Sequence, residues 1–176
     1  MVLKMNKQNT VGIIAILIII GTVGYSLLNV YALDQLELGG RDNLFRFFSF
    51  NTIDGKINVC NNSFFPANFN ELDIAIYFEE KLLGTYIINS ASISPYSVLE
   101  SNGKYVSDSM EYSQTLFMHF DHLFSESDTT IRIDPRKMNV VTHFQTTIIG
   151  IPYSVSEKYT AFDFWNMLND GENTTC

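Results

Sequence analysis

Three residues within a four-residue stretch have side chains that can bind a metal ion: His119, Asp121 and His122. On a strand, His119 and Asp121 would share one face, whereas on a helix His119 would share a face with His122. Imidazole and carboxylate groups bind divalent cations, and the neighbouring Met118 would favour copper. The stretch therefore supports one hypothesis for this chain, a metal- or small-ligand-binding protein.

A simpler interpretation of the same stretch needs no ligand. In a strand, Leu116 and Phe120 would pack inward, while His119 and Asp121 would face water. His143 is the one further histidine, and it lies 21 positions after the stretch. Ligand-like residue types without a complete ligand set do not establish a metal site, so both interpretations stay open here.

Patterns typical of catalysis are missing from the sequence. Serine, histidine and aspartate are present, yet there is no Gly-x-Ser-x-Gly elbow, glycine-rich phosphate loop or Cys/His zinc spacing. Glu79 and Glu80 are adjacent, so on a strand their carboxylates would point to opposite faces. We predict a protein that is not an enzyme and that carries no cofactor.

One segment determines where any such site would be placed. Residues 11–33 carry no charged side chain, and roughly 20 apolar residues cross the hydrocarbon core of a bilayer, which is about 30 Å thick. Lys4 and Lys7 precede the segment, and basic flanks tend to stay in the cytoplasm. We predict a single-pass cell-membrane protein with residues 1–10 in the cytoplasm and an extracytoplasmic C-terminal domain.

A cleaved signal peptide is the alternative interpretation of this segment. It has a basic start and an apolar run, and Val30-Tyr31-Ala32 suits cleavage after Ala32. The apolar part of a signal peptide is about 7–15 residues long, and the uncharged segment here is longer, which favours an uncleaved anchor. Residues 34–176 are exported in either case.

The exported part is acidic. All 19 acidic residues and nine of the 11 basic ones follow Leu33, which gives this part a formal charge of −10. Such a surface repels phosphate backbones, so we predict no nucleic-acid partner. It also resists lying flat on an anionic membrane, and residues 11–33 are the predicted contact with lipid.

Export gives meaning to the cysteines and to two glycosylation motifs. Cys60 and Cys176 are the two cysteines of the chain, and in an oxidising compartment they can form a disulfide. The alternative is a buried Cys60 and a free terminal thiol. Asn61 and Asn173 each begin an Asn-x-Ser/Thr motif, which predicts a glycoprotein if the host glycosylates exported chains.

The rest of the sequence is organised as a linker, one β domain and a tail. Residues 34–43 are polar and contain two glycines, which indicates a linker. Residues 44–168 contain short runs of Phe, Tyr, Ile, Val and Thr, which favour strands, and Leu72–Phe78 alternates between apolar and polar residues. Residues 169–176 form a polar tail. The spacing of strands and turns predicts an all-β antiparallel sandwich.

Local signals place the turns of this domain and one helix. Asp54-Gly55 and Asn102-Gly103 are dipeptides typical of β-hairpins. Glu79-Glu80-Lys81 is predicted to turn one strand back into the next. Residues 162–168 predict a short amphipathic helix that covers one end of the sandwich.

The segment 57–78, followed by a turn leading to Leu83-Gly84, resembles the type 2 late embryogenesis abundant domain, also called the water-stress and hypersensitive-response domain. Ser94-Pro95 resembles a following segment of that family, and residues 131–162 resemble its closing strand pair, with Gly150 between the strands. Asn61-Asn62 stands where the family tends to have Asn-Pro-Asn. The resemblance implies an immunoglobulin-like or fibronectin-like sandwich of about 100 residues, often behind one membrane anchor and associated with stress tolerance.

Taken together, these features predict a non-enzymatic, membrane-anchored extracytoplasmic sandwich for protein interaction or envelope stress protection. It would also suit an accessory subunit of a membrane complex, because Gly21, Gly24 and Ser26 let a helix approach a neighbouring membrane helix closely. The alternative function is a cell-surface metal- or small-ligand-binding protein that uses His119, Asp121 and His122.

Overall fold

The structure, a computed structural model, describes residues 7–39, 56–107 and 135–169. One long helix, α1 (Lys7–Asp34), comes first, and a short helix, α2 (Ala161–Asn169), comes last in the described part. The described strands are β1 (Leu36–Gly39), β2 (Lys56–Asn61), β3 (Ala67–Phe78), β4 (Lys81–Ile93), β5 (Ser97–Asn102), β6 (Lys104–Val106), β7 (Met138–Ile148) and β8 (Ile151–Thr160). A 3-10 turn, Pro135–Lys137, leads into β7.

The strands form two antiparallel sheets. One has the order β1-β2-β5, and the other has the order β6-β4-β3-β7-β8. Every strand pairing within the described residues is antiparallel. The prediction of a mostly antiparallel β-sheet protein with one N-terminal apolar helix is confirmed.

Both sheets and α2 contribute to one hydrophobic core. Leu72, Ile74 and Ile76 of β3 are fully buried, as the alternation of this strand predicted. The other sheet contributes Ile57 and Val59 from β2. The helix contributes four side chains to the same cluster: Ala161, Phe164, Trp165 and Leu168.

The C-terminal helix forms where the apolar spacing predicted it. Thr160 caps its N-terminus, because its Oγ1 accepts a hydrogen bond from the backbone N–H of Asp163 at 3.1 Å and donates one to Asp163 Oδ2 at 2.6 Å. The helix contacts β1, β7, β8 and the 3-10 turn. It therefore closes one end of the core.

Two hairpins of the five-stranded sheet have tight turns at the predicted places. Glu79 and Glu80 join β3 to β4 with φ values of 46° and 68°. Ile149 and Gly150 join β7 to β8 with φ values of 51° and 79°. Two successive positive φ angles define the type I′ turn, which matches the twist of antiparallel strands.

The predicted hairpin at Asn102-Gly103 is wrong. β5 pairs with β2, whereas β6 pairs with β4, so the chain crosses from one sheet to the other at this dipeptide. The glycine serves close packing instead. Its backbone N–H donates to Tyr86 Oη at 2.6 Å, and a Cβ at this position would lie 2.5 Å from the Tyr86 ring. The other predicted hairpin, at Asp54-Gly55, lies outside the described residues.

Gly103→Ala should therefore lower the free energy of unfolding by about 1–3 kcal/mol, because the added methyl group overpacks a buried contact. Its Cβ would also lie 2.7 Å from the Ile87 carbonyl oxygen, and backbone cannot move aside as a side chain can. Gly21→Ala is the matched control, since nothing lies within 4 Å of its added Cβ. Urea unfolding of the full chain in detergent compares the two, and equal midpoints would contradict the packing argument.

The linker predicted for residues 34–43 is wrong over its first half. Leu36–Gly39 form β1, which pairs along β2, and Leu36 and Leu38 are buried. These two leucines alternate with Glu37, so they fill the core while the glutamate faces outward. Residues 40–43 lie outside the described residues.

Two tyrosines make the stability of the domain depend on pH. Burial raises the pKa of the Tyr86 hydroxyl, and the hydrogen bond from the Gly103 backbone opposes part of that shift. Burial also raises the pKa of Tyr159, and its hydrogen bond to Glu157 at 2.6 Å and the negative charges of Glu157 and Glu37 raise it further. Both phenols are therefore held neutral in the fold.

We expect the free energy of unfolding to fall as the pH rises above 10. The pKa of each phenol is raised in the folded chain from an ordinary value of 10.0, so the unfolded chain ionises first and is favoured at high pH. The stabilising contribution is fully present below pH 10. Urea titrations between about pH 9 and about pH 11 should show a shallower decline for Tyr159→Phe than for the unmodified chain. Equal slopes would contradict this assignment.

Candidate functional site

Helix α1 does not stop at the surface of the β domain. Its last residues pack into the core, where Asn29 is 7% exposed, Ala32 is 0% and Leu33 is 1%. Gln35 alone separates the helix from β1, and its backbone N–H donates to the carbonyl oxygen of Ala32 at 3.2 Å. We call the contact of residues 25–35 with the sheets the helix–domain junction.

Asn29 holds this junction together. Its Nδ2 donates to the carbonyl oxygen of Asn68 at 2.9 Å and to Thr146 Oγ1 at 3.1 Å, and its Oδ1 accepts from the backbone N–H of Asn68 at 2.7 Å. One side chain thus satisfies both backbone groups of a residue near the start of β3. Tyr25 Oη extends the contact by accepting from Asn68 Nδ2 at 3.3 Å. Such a polar network orders the junction only because every group in it is paired.

The part of α1 before the junction is apolar and exposed. Residues 9–34 have a mean hydropathy of 2.5 and are long enough to cross a membrane. From Val11 to Leu28 the helix rises about 27 Å, close to the roughly 30 Å of bilayer hydrocarbon. The large apolar side chains of this stretch are exposed. The apolar length of the helix therefore ends where the β domain begins.

The junction bears on the alternative of a cleaved signal peptide. A cut after Ala32 would fall inside α1, between two buried residues. It would also detach Asn29 and leave the backbone N–H and C=O of Asn68 without this partner. Residues 29–33 thus pack as part of the folded β domain.

A second cluster of polar groups lies on the outer face of the five-stranded sheet. Asp73 of β3 is the register partner of His143 of β7, which is in turn the register partner of Ser156 of β8. Ser156 Oγ and His143 Nδ1 are hydrogen-bonded at 2.6 Å. An open groove of about 630 Å³ covers Asp73 and His143, and its other lining residues are Asn70, Gln145, Thr146, Thr147, Pro152, Tyr153 and Ser154.

The groove is rich in hydrogen-bond acceptors. Gln145 Nε2 donates to Asp73 Oδ2 at 2.7 Å and to Glu71 Oε1 at 3.0 Å. Asp73 Oδ1 is buried and has no hydrogen-bond partner among the described residues. A buried carboxylate oxygen without a partner is costly, so this position suits a ligand that donates a hydrogen bond or carries positive charge.

Ser156, His143 and Asp73 do not form a catalytic triad. In a triad the carboxylate orients the histidine by accepting its ring N–H. Here the Asp73 carboxylate accepts a hydrogen bond from Gln145 Nε2 instead. The arrangement is suited to binding.

The residues predicted to bind a metal, His119, Asp121 and His122, fall outside the described part of the chain, so that prediction stays a prediction. Among residues 7–39, 56–107 and 135–169, no group of three His, Cys, Asp or Glu side chains could hold a metal ion. His143, which sequence reasoning could not connect to the others, lies in the groove.

Cys60 and Asn61 lie together at the end of β2. Cys60 is disulfide-bonded. Its predicted partner, Cys176, lies outside the described residues, and their pairing stays a prediction, as does a glycan on Asn173.

Asn61 is fully buried and acts as a structural clamp. Its Nδ2 donates to the carbonyl oxygens of Phe65, Ile93 and Ser94 at 2.8, 3.1 and 3.2 Å. Its Oδ1 accepts from the backbone N–H and the hydroxyl of Ser63 at 3.0 and 2.7 Å. The folded domain leaves this amide no room for a glycan. In the fold, Asn61 and Ser63 of this motif form hydrogen bonds that stabilise the connection between β2 and β3.

In the described residues, the apolar helix α1 leads into an antiparallel β domain with Gln35 alone between helix and strand. Comparisons with protein-family models and with curated protein sequences give no match. The chain is similar to a solved structure, that of a protein from Archaeoglobus fulgidus, at 10% identity over 60% of this chain and 83% of that chain. The TM-score of 0.30 is too low to support any conclusion about fold or function.

Proposed function

We propose that this chain is a single-pass, membrane-anchored protein whose extracytoplasmic β domain is an immunoglobulin-like sandwich without enzymatic activity. Its role would be protein interaction or envelope stress protection, in line with its resemblance to type 2 late embryogenesis abundant domains. The observation that carries the proposal is the helix–domain junction. A membrane-length apolar helix that is built into the core of a β domain holds that domain at the surface of a bilayer.

Two observations support the orientation with the domain outside the cytoplasm. Lys4 and Lys7 precede the helix, and basic flanks favour the cytoplasmic side. Cys60 is disulfide-bonded, and disulfides persist mainly in oxidising compartments.

Protease accessibility in intact cells tests this orientation. A protease added outside should digest the β domain and leave a membrane-bound fragment containing α1. Digestion only after the cells are permeabilised would reverse the orientation. Release of the whole chain by alkaline washing of the membranes would remove the anchor itself.

The interaction role is tested by crosslinking in native membranes. We expect a reproducible crosslinked partner, because Gly21 and Gly24 lie on α1 where an added Cβ would have no described residue within 4 Å, which leaves room for a neighbouring helix. Gly21→Ile and Gly24→Ile should weaken that crosslink. If only monomers are trapped, the accessory-subunit role is wrong.

The groove favours a second candidate function, the binding of a small ligand. Asp73 Oδ1 is the observation behind it, because its missing partner suits a cationic or hydrogen-bond-donating group. The predicted metal residues His119, Asp121 and His122 would belong to the same class of function. Metal analysis of protein purified without a tag decides the metal version. Substoichiometric metal that His119→Ala leaves unchanged would exclude it.

A further inference from the structure

One end of the β domain, which we call the α1 end, is built from three connections around the point where α1 enters. These are residues 62–66 between β2 and β3, residues 94–96 between β4 and β5, and the turn of β7 and β8. Asn61 bonds both Phe65 and Ser94, which joins the first two connections. Thr146 Oγ1 donates to the carbonyl oxygen of Asn68 at 3.2 Å, which places the end of β7 beside the start of β3.

The α1 end exposes large apolar side chains. Phe64 is 75% exposed, Ile149 is 59% and Ile151 is 68%. Tyr96 is also exposed, and its ring meets that of Phe64 edge to face at a centroid distance of 5.1 Å. An exposed group of this kind at one end of a domain marks a contact with a partner or a membrane.

The described connections at the α1 end carry no charged side chain. The three stretches that lead into and out of these connections, residues 57–70, 82–99 and 138–156, contain no Asp, Glu, Lys or Arg. The rest of the domain is acidic. At its opposite end the turn between β3 and β4 is Glu79-Glu80, followed by Lys81, and Glu79 is paired with Lys137. Of the two ends formed by the described residues, the α1 end is the one that could approach an anionic surface without repulsion.

The backbone of two exposed side chains is strained. Tyr96 and Ile149 both have a φ of 51°, in the left-handed region that suits glycine or asparagine. A β-branched residue such as Ile149 is disfavoured there, because its Cβ crowds the following carbonyl oxygen. The hairpin turn explains the positive φ of Ile149, and an exposed isoleucine at a position that glycine or asparagine would occupy without strain is what the fold does not explain.

Strand β7 and helix α1 leave the domain in the same direction. Leu33 and Asp34 line a cavity with Thr142 and Phe144, whereas Asn29 bonds Thr146. Both segments thus advance together away from the core. From Thr146 to the hairpin tip at Ile149 the strand rises about 10 Å, so the tip extends beside the exposed apolar part of α1.

We propose that the α1 end is a second membrane contact, in which Ile149, Ile151, Phe64 and Tyr96 enter the interfacial layer of the bilayer beside the helix. This inference rests on the proposed anchoring by α1. It adds that the domain contacts the membrane surface in one orientation. The end with the Glu79-Glu80 turn then points away from the membrane.

Tryptophan quenching in vesicles tests the contact. The full chain is reconstituted in phosphatidylcholine vesicles with and without lipids brominated near the headgroup end of the acyl chains. Its one tryptophan, Trp165, lies buried in α2 and gives the background. A tryptophan is added at the tip by Ile149→Trp, at the opposite turn by Glu80→Trp, or in the anchor by Leu17→Trp. We expect the brominated lipid to quench the tip reporter and not the Glu80→Trp reporter.

The three reporters separate the possible failures. If Leu17→Trp is quenched by deeply brominated lipid while the tip reporter and the Glu80→Trp reporter respond alike, the proposed orientation is wrong and the anchor stands. If Leu17→Trp is not quenched either, α1 does not span the bilayer, and both the proposed anchoring and the second membrane contact are wrong.

A second variant separates membrane contact from folding. Ile149→Asn gives the turn a residue that tolerates positive φ, so the domain should unfold at a higher urea concentration than the unmodified chain. In the same protein, a Phe64→Trp reporter should lose part of its quenching by brominated lipid, because the contact of the α1 end with the bilayer is weakened. Unchanged quenching of Phe64→Trp in this stabler variant would overturn the role of Ile149.

Discussion

A chain that begins at Leu33 should be less stable than one that begins at Tyr25 by about 3–5 kcal/mol. The shorter chain is what cleavage after Ala32 would leave, and the longer one keeps the whole junction. Loss of Asn29 leaves the backbone N–H of Asn68 without its partner, at about 1–3 kcal/mol, and leaves the Asn68 carbonyl oxygen with Thr146 Oγ1 as its remaining side-chain donor. Loss of the fully buried Ala32 opens the core as well.

Urea unfolding of the two chains measures this difference, since both lack most of the exposed apolar helix. Asn29→Ala in the longer chain should account for a large share of the loss. Gln35→Ala in the longer chain is a control, because its side chain is exposed and, among the described residues, bonds its neighbour's carbonyl alone. Equal midpoints for the two chains would mean that the β domain does not need the helix, and the cleaved signal peptide would become the better interpretation.

Asn61→Ala should lower the free energy of unfolding by about 3–5 kcal/mol. The substitution removes the two N–H donors that three carbonyls share and the oxygen that accepts twice from Ser63. The carbonyls of Phe65 and Ser94 keep the hydroxyls of Ser63 and Ser97 as donors, whereas the Ile93 carbonyl and the Ser63 backbone N–H lose this partner. Each buried polar group that loses its partner costs about 1–3 kcal/mol. Water can rescue some of these groups, because the two connections lie near the surface.

Asn62→Ala is the matched control for this experiment. It is the neighbouring residue of the same type, it is only half-buried, and its loss keeps the Asn61-x-Ser63 motif and the network intact. Thermal or urea unfolding should separate the two variants clearly. If Asn61→Ala unfolds like Asn62→Ala, the clamp does not stabilise the fold, and an accessible Asn61 would again be a candidate for glycosylation.

The sequence predicts those elements of the fold that depend on local chemistry. The unbroken apolar run predicts α1, the alternation of Leu72–Phe78 predicts a half-buried strand, and the spacing of Phe164, Trp165 and Leu168 predicts α2. The turn at Glu79-Glu80 is also local. In each case the period of the side chains or the length of a run contains the information.

Local sequence patterns do not predict elements whose pairing partners lie far away in sequence. Asn102-Gly103 has the composition of a hairpin, yet its flanking strands pair with β2 and β4, which lie far away in sequence. β1 contains only two buried leucines, too few for a periodic signal. The polar residues at positions 34 and 35 before it suggest a linker.

The sequence does not predict the groove around His143, because its residues are also distant from one another in sequence. Asp73, His143 and Ser156 come from three strands, and only the register brings them into one row. Asn29 offered one usable signal, a single amide near the end of an apolar run. A polar residue in such a position marks either a break in a membrane span or a contact beyond it.

Because Gln35 alone separates α1 from β1, the β domain has a defined orientation relative to any neighbour that packs on α1 in the membrane. A helix turns by about 100° per residue, so the face of α1 that carries Gly21 and Gly24 stands at a set angle to the groove around His143. Inserting one residue between Leu28 and Asn29 would rotate the groove about the helix axis and keep its distance from the lipid nearly unchanged. The helix thus fixes the rotational orientation of the domain about the helix axis. A partner that binds α1 therefore meets the same side of the domain each time.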